Sequence, residues 1–291
     1  SAMMLFRNWF SVKKPDRMEL KVTFWGVRGS FPCATPQHML YGGNTACVSV
    51  ESGDEVIILD AGTGLWQLGK YLVAKGVREA TMLMSHTHTD HIIGFPFFAP
   101  AWIGSFHLDI FAGHLRDNGG VRSVFAEQMR DPLFPVSLSH MAANMGFHDF
   151  EAGEDLVIGD RIHVKTCRLN HPNGATGYRI TSGGRSVCYV TDTEHYPGRR
   201  DPNVMDLVQN ADVMIYDSTY SDEEYARGRV GWGHSTWEEA IRIGKDANVG
   251  RVYIFHHDPD NTDDKMAAVE RQARQLWDRV TIAREGMAIE L

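Results

Sequence analysis

The chain has 291 residues, 43% of them hydrophobic and 23% charged, with a net charge of −8 when histidine is counted neutral. That length suggests one or two domains, and that composition is ordinary globular material able to bury a sizeable core. The acidic balance argues against a protein whose main task is coating nucleic acid or an anionic membrane.

Ser1-Ala2-Met3 looks like an expression scar, and the apolar stretch at 4–10 is short, broken by Arg7 and Asn8, and leads to no small-residue cleavage site. Residues 1–17 are therefore expected to be a tag scar and extension before a single domain at 18–291. Short β-rich runs follow at 20–25, 46–51 and 56–59, separated by turns such as Tyr41-Gly42-Gly43-Asn44. The run 65–75 reads as a helix with Leu65, Leu68, Leu72 and Val73 on one face. A buried strand is expected at 81–84. The uncharged run from Ile92 to about Leu108 contains Pro96, Pro100 and two glycines. It falls short of the roughly 20 residues of a membrane span and reads as a buried or pocket-lining segment. A helix at 119–129 stops at Asp131-Pro132, and the weakly patterned segment 112–150 is expected to be an insertion or lid. Strands at 156–167, 177–181 and 186–190 come next. They are followed by helix 203–210, strand 213–216, helix 236–246, strand 252–255, helix 263–276 and a final strand. Two sheets flanked by helices satisfy this order, an α/β sandwich in one domain. Four cysteines (Cys33, Cys47, Cys167, Cys188) with no CxxC point to a reducing compartment, hence a cytoplasmic setting.

Histidine, with 14 copies, is the unusual entry. The strongest signal is Ser85-His86-Thr87-His88-Thr89-Asp90-His91, directly after an apolar strand. An extended segment projects residues i and i+2 to one side, so His86 and His88 can grip one ion. Asp90 and His91, one step on, can face a second.

This pattern resembles the metallo-β-lactamase-fold hydrolases, whose signature is HxHxDH. Further matches are Leu59-Asp60-Ala61-Gly62, His171 in Leu169-Asn170-His171-Pro172, Asp192 in Thr191-Asp192-Thr193 and His256 in Phe255-His256-His257-Asp258. The resemblance implies a four-layer αββα sandwich, α/β (α+β) in class. It implies that His86, His88 and His171 hold one metal, that Asp90, His91 and His256 hold another, and that Asp192 bridges them. His257 is the rival for the last ligand. Five imidazoles and two carboxylates suit two divalent ions, Zn²⁺ in first place and Mn²⁺ or Fe as alternatives. Asp60 is expected to orient the ligand loop by hydrogen bonds. Two divalent ions, two aspartates and a bridging hydroxide leave a net charge of about +1, which favours an anionic phosphodiester.

Tyr216-Asp217-Ser218-Thr219-Tyr220 and Gly233-His234-Ser235-Thr236 resemble the acid–histidine pair of the transfer-RNA 3′-processing ribonucleases and related phosphodiesterases. Expelling an alkoxide needs a proton, which His234 can supply while Asp217 keeps it protonated. The rival reading is a helix cap at Ser235 or Thr236 with His234 beside it. The ribonuclease branch inserts a long arm between the third motif and the bridging aspartate, whereas His171 and Asp192 are only 21 positions apart here. That spacing is similar to the smaller phosphodiesterases, as are Trp25-Gly26-Val27-Arg28-Gly29-Ser30 and Tyr41-Gly42-Gly43-Asn44-Thr45. Arg28 suits either a phosphate or a structural ion pair. Phe95, Phe97, Phe98 and Trp102 suit either a base or aryl pocket or ordinary core.

The expected protein is thus a dinuclear metal hydrolase in which a bridging hydroxide attacks a small anionic phosphodiester of cyclic-nucleotide or cyclic-phosphate type. His234, Asp217 and Asp90 are the expected catalytic residues, and Arg28, Asn44 and Phe97 the expected substrate contacts. The alternatives are a thioester or lactone hydrolase on the same metals and an RNA 3′-processing ribonuclease lacking the arm. The expected partner is a small anionic substrate rather than a nucleic-acid polymer or a membrane, with a homodimer left open.

Overall fold

The computed structural model describes residues 19–291, so the expected extension at 1–17 lies outside the described residues. Six strands build most of the first sheet: β1 (Leu20–Gly26), β2 (Cys47–Ser52), β3 (Glu55–Leu59), β4 (Glu79–Met84), β5 (His107–Ala112) and β6 (Asn144–Asp149). The second sheet holds β7 (Leu156–Ile158), β8 (Ile162–Leu169), β9 (Ala175–Ser182), β10 (Arg185–Val190), β11 (Val213–Asp217), β12 (Arg251–Phe255) and β13 (Val280–Ile282). The last strand, β14 (Ala288–Glu290), returns to the first sheet, whose order is β14-β1-β2-β3-β4-β5-β6; the second runs β13-β12-β11-β10-β9-β8-β7. Each sheet is antiparallel at one side and parallel at the other. In the first, β3 to β6 are parallel; in the second, β10 to β13 are.

The helices are α1 (Leu65–Lys75), α2 (Thr89–Ile92), α3 (Gly120–Gln128), α4 (Pro202–Val208), α5 (Asp222–Ala226), α6 (Trp237–Asp246) and α7 (Asp263–Leu276). Leu65, Leu68 and Leu72 of α1, with Val121 and Phe125 of α3, cover the outer face of the first sheet. Val204 and Leu207 of α4, Ile241 and Ile243 of α6, and Met266 of α7 cover the outer face of the second. Between the sheets lie Phe24, Val48, Ile57, Leu59, Tyr178, Ile180, Val187, Tyr189 and Phe255. The result is the αββα sandwich in four layers. It explains the unbroken apolar run of β3, because Val56 and Ile58 face the helices while Ile57 and Leu59 face the other sheet.

The structure corrects several expected elements. Val73 is exposed, and Gly69 takes its place on the buried face of α1. The run 156–167 is a hairpin, β7 and β8, because Gly159 (φ 55) turns the chain. The single final strand is two strands in different sheets. The segment 112–150 is not simply an insertion or lid. It supplies α3, with Val121 and Phe125 fully buried, and the edge strand β6. Polar residues such as His148 on that edge hid the strand in the sequence pattern. Among the described residues, no helix is long and apolar enough to cross a membrane.

Candidate metal centre

The parallel strands deliver their C-terminal ends to one edge of the sandwich, and the expected ligands sit just past them. His86 and His88 follow β4, and His88 caps α2, which carries Asp90 and His91. His171 follows β8, Asp192 follows β10 and His256 follows β12. Asp60 (φ 60), Asp192 (φ 56) and His256 (φ 63) all adopt left-handed backbone. For a residue with a Cβ this costs roughly 1–3 kcal/mol, and such strain collects at functional sites.

Hydrogen bonds behind the imidazoles decide which nitrogen faces inward. His171 Nδ1 donates to the Gly233 carbonyl at 2.7 Å, and His91 Nδ1 donates to Asp60 at 2.7 Å. Ser85 donates its hydroxyl to Asp60 at 2.6 Å, so it accepts from His86 Nδ1 at 3.1 Å. Thr219 donates to Asp217 at 2.7 Å and accepts from His256 Nδ1 at 3.0 Å. Four rings therefore turn Nε2 toward the centre, while His88 turns its Nδ1, 2.9 Å from His86 Nε2 and 3.1 Å from His171 Nε2.

Asp192 splits its two oxygens. Oδ1 lies 3.6 Å from His86 and 3.5 Å from His171, while Oδ2 lies 2.9 Å from His91 and 3.2 Å from His256. Asp90 Oδ2 stands 3.3 Å from His91 and 3.4 Å from His256, and accepts the Ser30 amide at 2.8 Å. The donors thus form a three-imidazole group, His86, His88 and His171, and a mixed group, Asp90, His91 and His256. Burial pushes the His86, His88 and His171 protons off, leaving lone pairs. Burial would do the same to His91, but Asp192, Asp90 and Asp60 hold it well above the usual imidazole range. This pocket favours positive charge, and the converging nitrogens and carboxylates fit divalent cations of the Zn²⁺, Mn²⁺ or Fe type.

Asp60 is fully buried and accepts from the Ser85 amide, the Ser85 hydroxyl, His91 and the Tyr189 hydroxyl, all between 2.6 and 2.8 Å. It lies behind the ligands rather than among them. His256 faces the cluster; His257 turns away, its Nε2 2.8 Å from the Ala283 carbonyl, and burial pushes it down to about 3. His234 Nδ1 donates to Asp217 at 2.8 Å, and its ring stacks on His256 at 4.8 Å. Burial opposes its protonation, yet the charge and hydrogen bond of Asp217 push His234 up to about 9. Its side chain keeps 12% exposure, so the ring reaches the open side of the centre. Thr236 caps α6 by accepting from the Glu239 amide at 3.1 Å, so cap and acid–histidine pair coexist.

Two expected substrate contacts are displaced. Arg28 is fully buried and donates to the carbonyls of Gly42, Asp258 and Asn261, so it ties the loop 26–30 to the segment after β12. Asn44 donates to Glu285 at 3.1 Å and offers its carbonyl to the Val27 and Arg28 amides. Phe97 is 59% exposed, edge-on to Phe134, whereas Phe95 and Phe98 are core. Glu194 was not expected. Its buried carboxylate accepts from Tyr225, Gly231 and Gly233, fixing the loop before His234. Thr219 was quoted only as part of a motif, and nothing in its spacing marked it as the link between Asp217 and His256.

Residues 56–257 match the family model of the Beta-lactamase superfamily domain. Ribonuclease Z of Haloferax volcanii is 25% identical over 94% of this chain and 96% of its own. Among solved structures, the metallo-β-lactamase-fold protein YhfI from Bacillus subtilis superposes with a TM-score of 0.72 at 24% identity, covering 94% of this chain and 100% of its own. A diphosphatase from the PhnP family reaches a TM-score of 0.67 at 16% identity, covering 94% and 98%. The relatives named Ribonuclease Z conflict in part with the expectation of a small substrate rather than a nucleic-acid polymer. The chain belongs to the beta-lactamase superfamily and is a hydrolase of the metallo-β-lactamase fold.

Proposed function

We propose that the protein is a metal-dependent phosphodiesterase. The observation that carries this reading is His234, which clusters with Asp192, Asp217 and His256 but spends its Nδ1 on Asp217 at 2.8 Å and stacks on His256. A thioester needs no such donor, because its thiolate departs with less help than an alkoxide. His86, His88 and His171 would hold one cation, Asp90, His91 and His256 the other, and Asp192 both. When bound, such a pair supplies Lewis acidity and a water activated near neutral pH. The chain's own part is to fix geometry and to move a proton. Asp217 orients His234 through Nδ1, which leaves Nε2 to donate to the departing oxygen. Asp60 and Thr219 hold the ligand rings, so no reorganisation is needed as charge develops.

The relatives named Ribonuclease Z favour a second substrate, an RNA 3′ end. The stretch between His171 and Asp192 is the hairpin β9–β10, closed at Gly183-Gly184. It offers no arm there to hold a folded RNA, so a small diester remains the first reading. A panel of an aryl phosphodiester, cyclic AMP, a short RNA, a glutathione thioester and a lactone tests both. Zinc-loaded protein should turn over phosphodiesters alone. Turnover of the thioester or lactone with no diester hydrolysis would overturn the reading.

A further inference from the structure

The loop before His234 runs Arg227-Gly228-Arg229-Val230-Gly231-Trp232-Gly233. Glu194, 9% exposed, accepts from the Gly231 amide at 2.7 Å, the Gly233 amide at 2.8 Å and the Tyr225 hydroxyl at 2.6 Å. Gly233 in turn gives its carbonyl to His171 Nδ1 at 2.7 Å. Gly231 and Gly233 both sit at φ 87, where a side chain would be strained. Between these two anchored glycines, Trp232 is 56% exposed. The Arg229 guanidinium lies 4.5 Å from the Trp232 ring centroid and 5.7 Å from that of Tyr220.

A buried carboxylate thus fixes the backbone on both sides of a large aromatic residue whose ring stays in water. Fixing the backbone beforehand lowers the ordering cost of binding. Trp232 is two residues before His234, its neighbour Gly233 holds His171, and Arg229 also lies over Tyr220, whose ring centroid is 6.2 Å from that of His234.

We propose that Trp232, backed by Arg229, is the stacking platform for the nucleobase of a nucleoside phosphodiester whose phosphate lies at the metal centre. This rests on the phosphodiesterase reading and narrows its substrate class. Every base has a π-face, and stacking on an aromatic side chain is worth roughly ten-fold or more in binding.

The test uses the zinc-loaded full chain with thymidine 5′-(p-nitrophenyl phosphate) and methyl p-nitrophenyl phosphate, which share a leaving group and differ in the nucleoside. Trp232→Ala should lower the nucleoside-to-methyl ratio of kcat/KM about ten-fold, mainly through KM, and Trp232→Phe should restore most of it. Calorimetry with thymidine 5′-monophosphate should show the same loss. An unchanged ratio with unchanged monophosphate affinity would overturn the platform and leave the phosphodiesterase reading standing. Hydrolysis of neither ester, with monophosphate binding still dependent on Trp232, would sink that reading and keep the platform. A 2′,3′-cyclic mononucleotide and a short RNA with a 3′ trailer separate the two sources of this chemistry. A Trp232-dependent loss on one names it, and no loss on either counts against the platform.

Discussion

The two donor groups of the metal centre are built differently. Behind His86, His91 and His256 stand the buried carboxylates Asp60 and Asp217, reached through Ser85, directly, and through Thr219 in turn, while behind His171 stands only the Gly233 carbonyl. A carboxylate behind an imidazole makes its free nitrogen a stronger donor; a carbonyl on a loop makes it only as well placed as the loop. The mixed group is therefore fixed by buried charge. In the three-imidazole group His171 depends on the segment that also carries Trp232 and His234, so ligand placement and proton donation share one support there.

The strongest way to break this comparison is Asp192→Ala, since Asp192 faces both groups. Metal analysis should show both ions lost and turnover abolished; retention of one ion would show that the groups load independently. Next comes His234→Ala, which should keep both ions and lower turnover of alkyl diesters by roughly 10²–10⁴-fold, with a far smaller effect on p-nitrophenyl esters. The sign of the pH effect follows from the raised His234. The proton is present below its pKa, which Asp217 pushes up to about 9, so turnover should fall on the alkaline side. Cations bound nearby pull that limb downward, and Asp217→Asn should pull it further. A limb unmoved in Asp217→Asn would assign it to another group.

A matched pair of variants sharpens the asymmetry. Thr219→Val removes the hydroxyl between His256 and Asp217 and should cost about 10–100-fold in affinity for one ion of the two. Gly233→Ala should weaken the other, because its Cβ would stand 2.6 Å from His171 Nδ1 at a φ of 87. Equal losses at both ions in both variants would erase the distinction. Glu194→Gln should give the smallest effect, a few-fold loss of turnover with the Gly233-side ion weakened first, read by titration with a chelator.

The ligands were legible because each obeys a local rule. His86 and His88 are two apart after an apolar strand, and His171, Asp192 and His256 each follow a strand end. Asp60 was legible for the same reason, at the end of the strand beside β4, and its hydrogen bonds to Ser85 and His91 come from that place. Arg28 was not legible, because a guanidinium suits a phosphate and a cluster of backbone carbonyls equally well. Only the packing of the segment after β12 against the loop 26–30 put carbonyls around it. The strand β6 was missed because an edge strand has one polar side and a weak period. Glu194 carried no signal, since its partners lie more than 30 positions away.

The sequence by itself determined the donor set, the four-layer sandwich and the acid–histidine pair. These rest on short-range spacing and on apolar periodicity, which the chain expresses locally. The tertiary structure decided His256 over His257, through a left-handed turn at φ 63 that aims one ring inward and leaves the next to the Ala283 carbonyl. It also decided which nitrogen of each ring faces the cluster, that Arg28 binds backbone carbonyls, and that Trp232 stands on a pinned loop. Each of these depends on hydrogen bonds between segments far apart in the chain, whose geometry exists only once the two sheets have closed on one another.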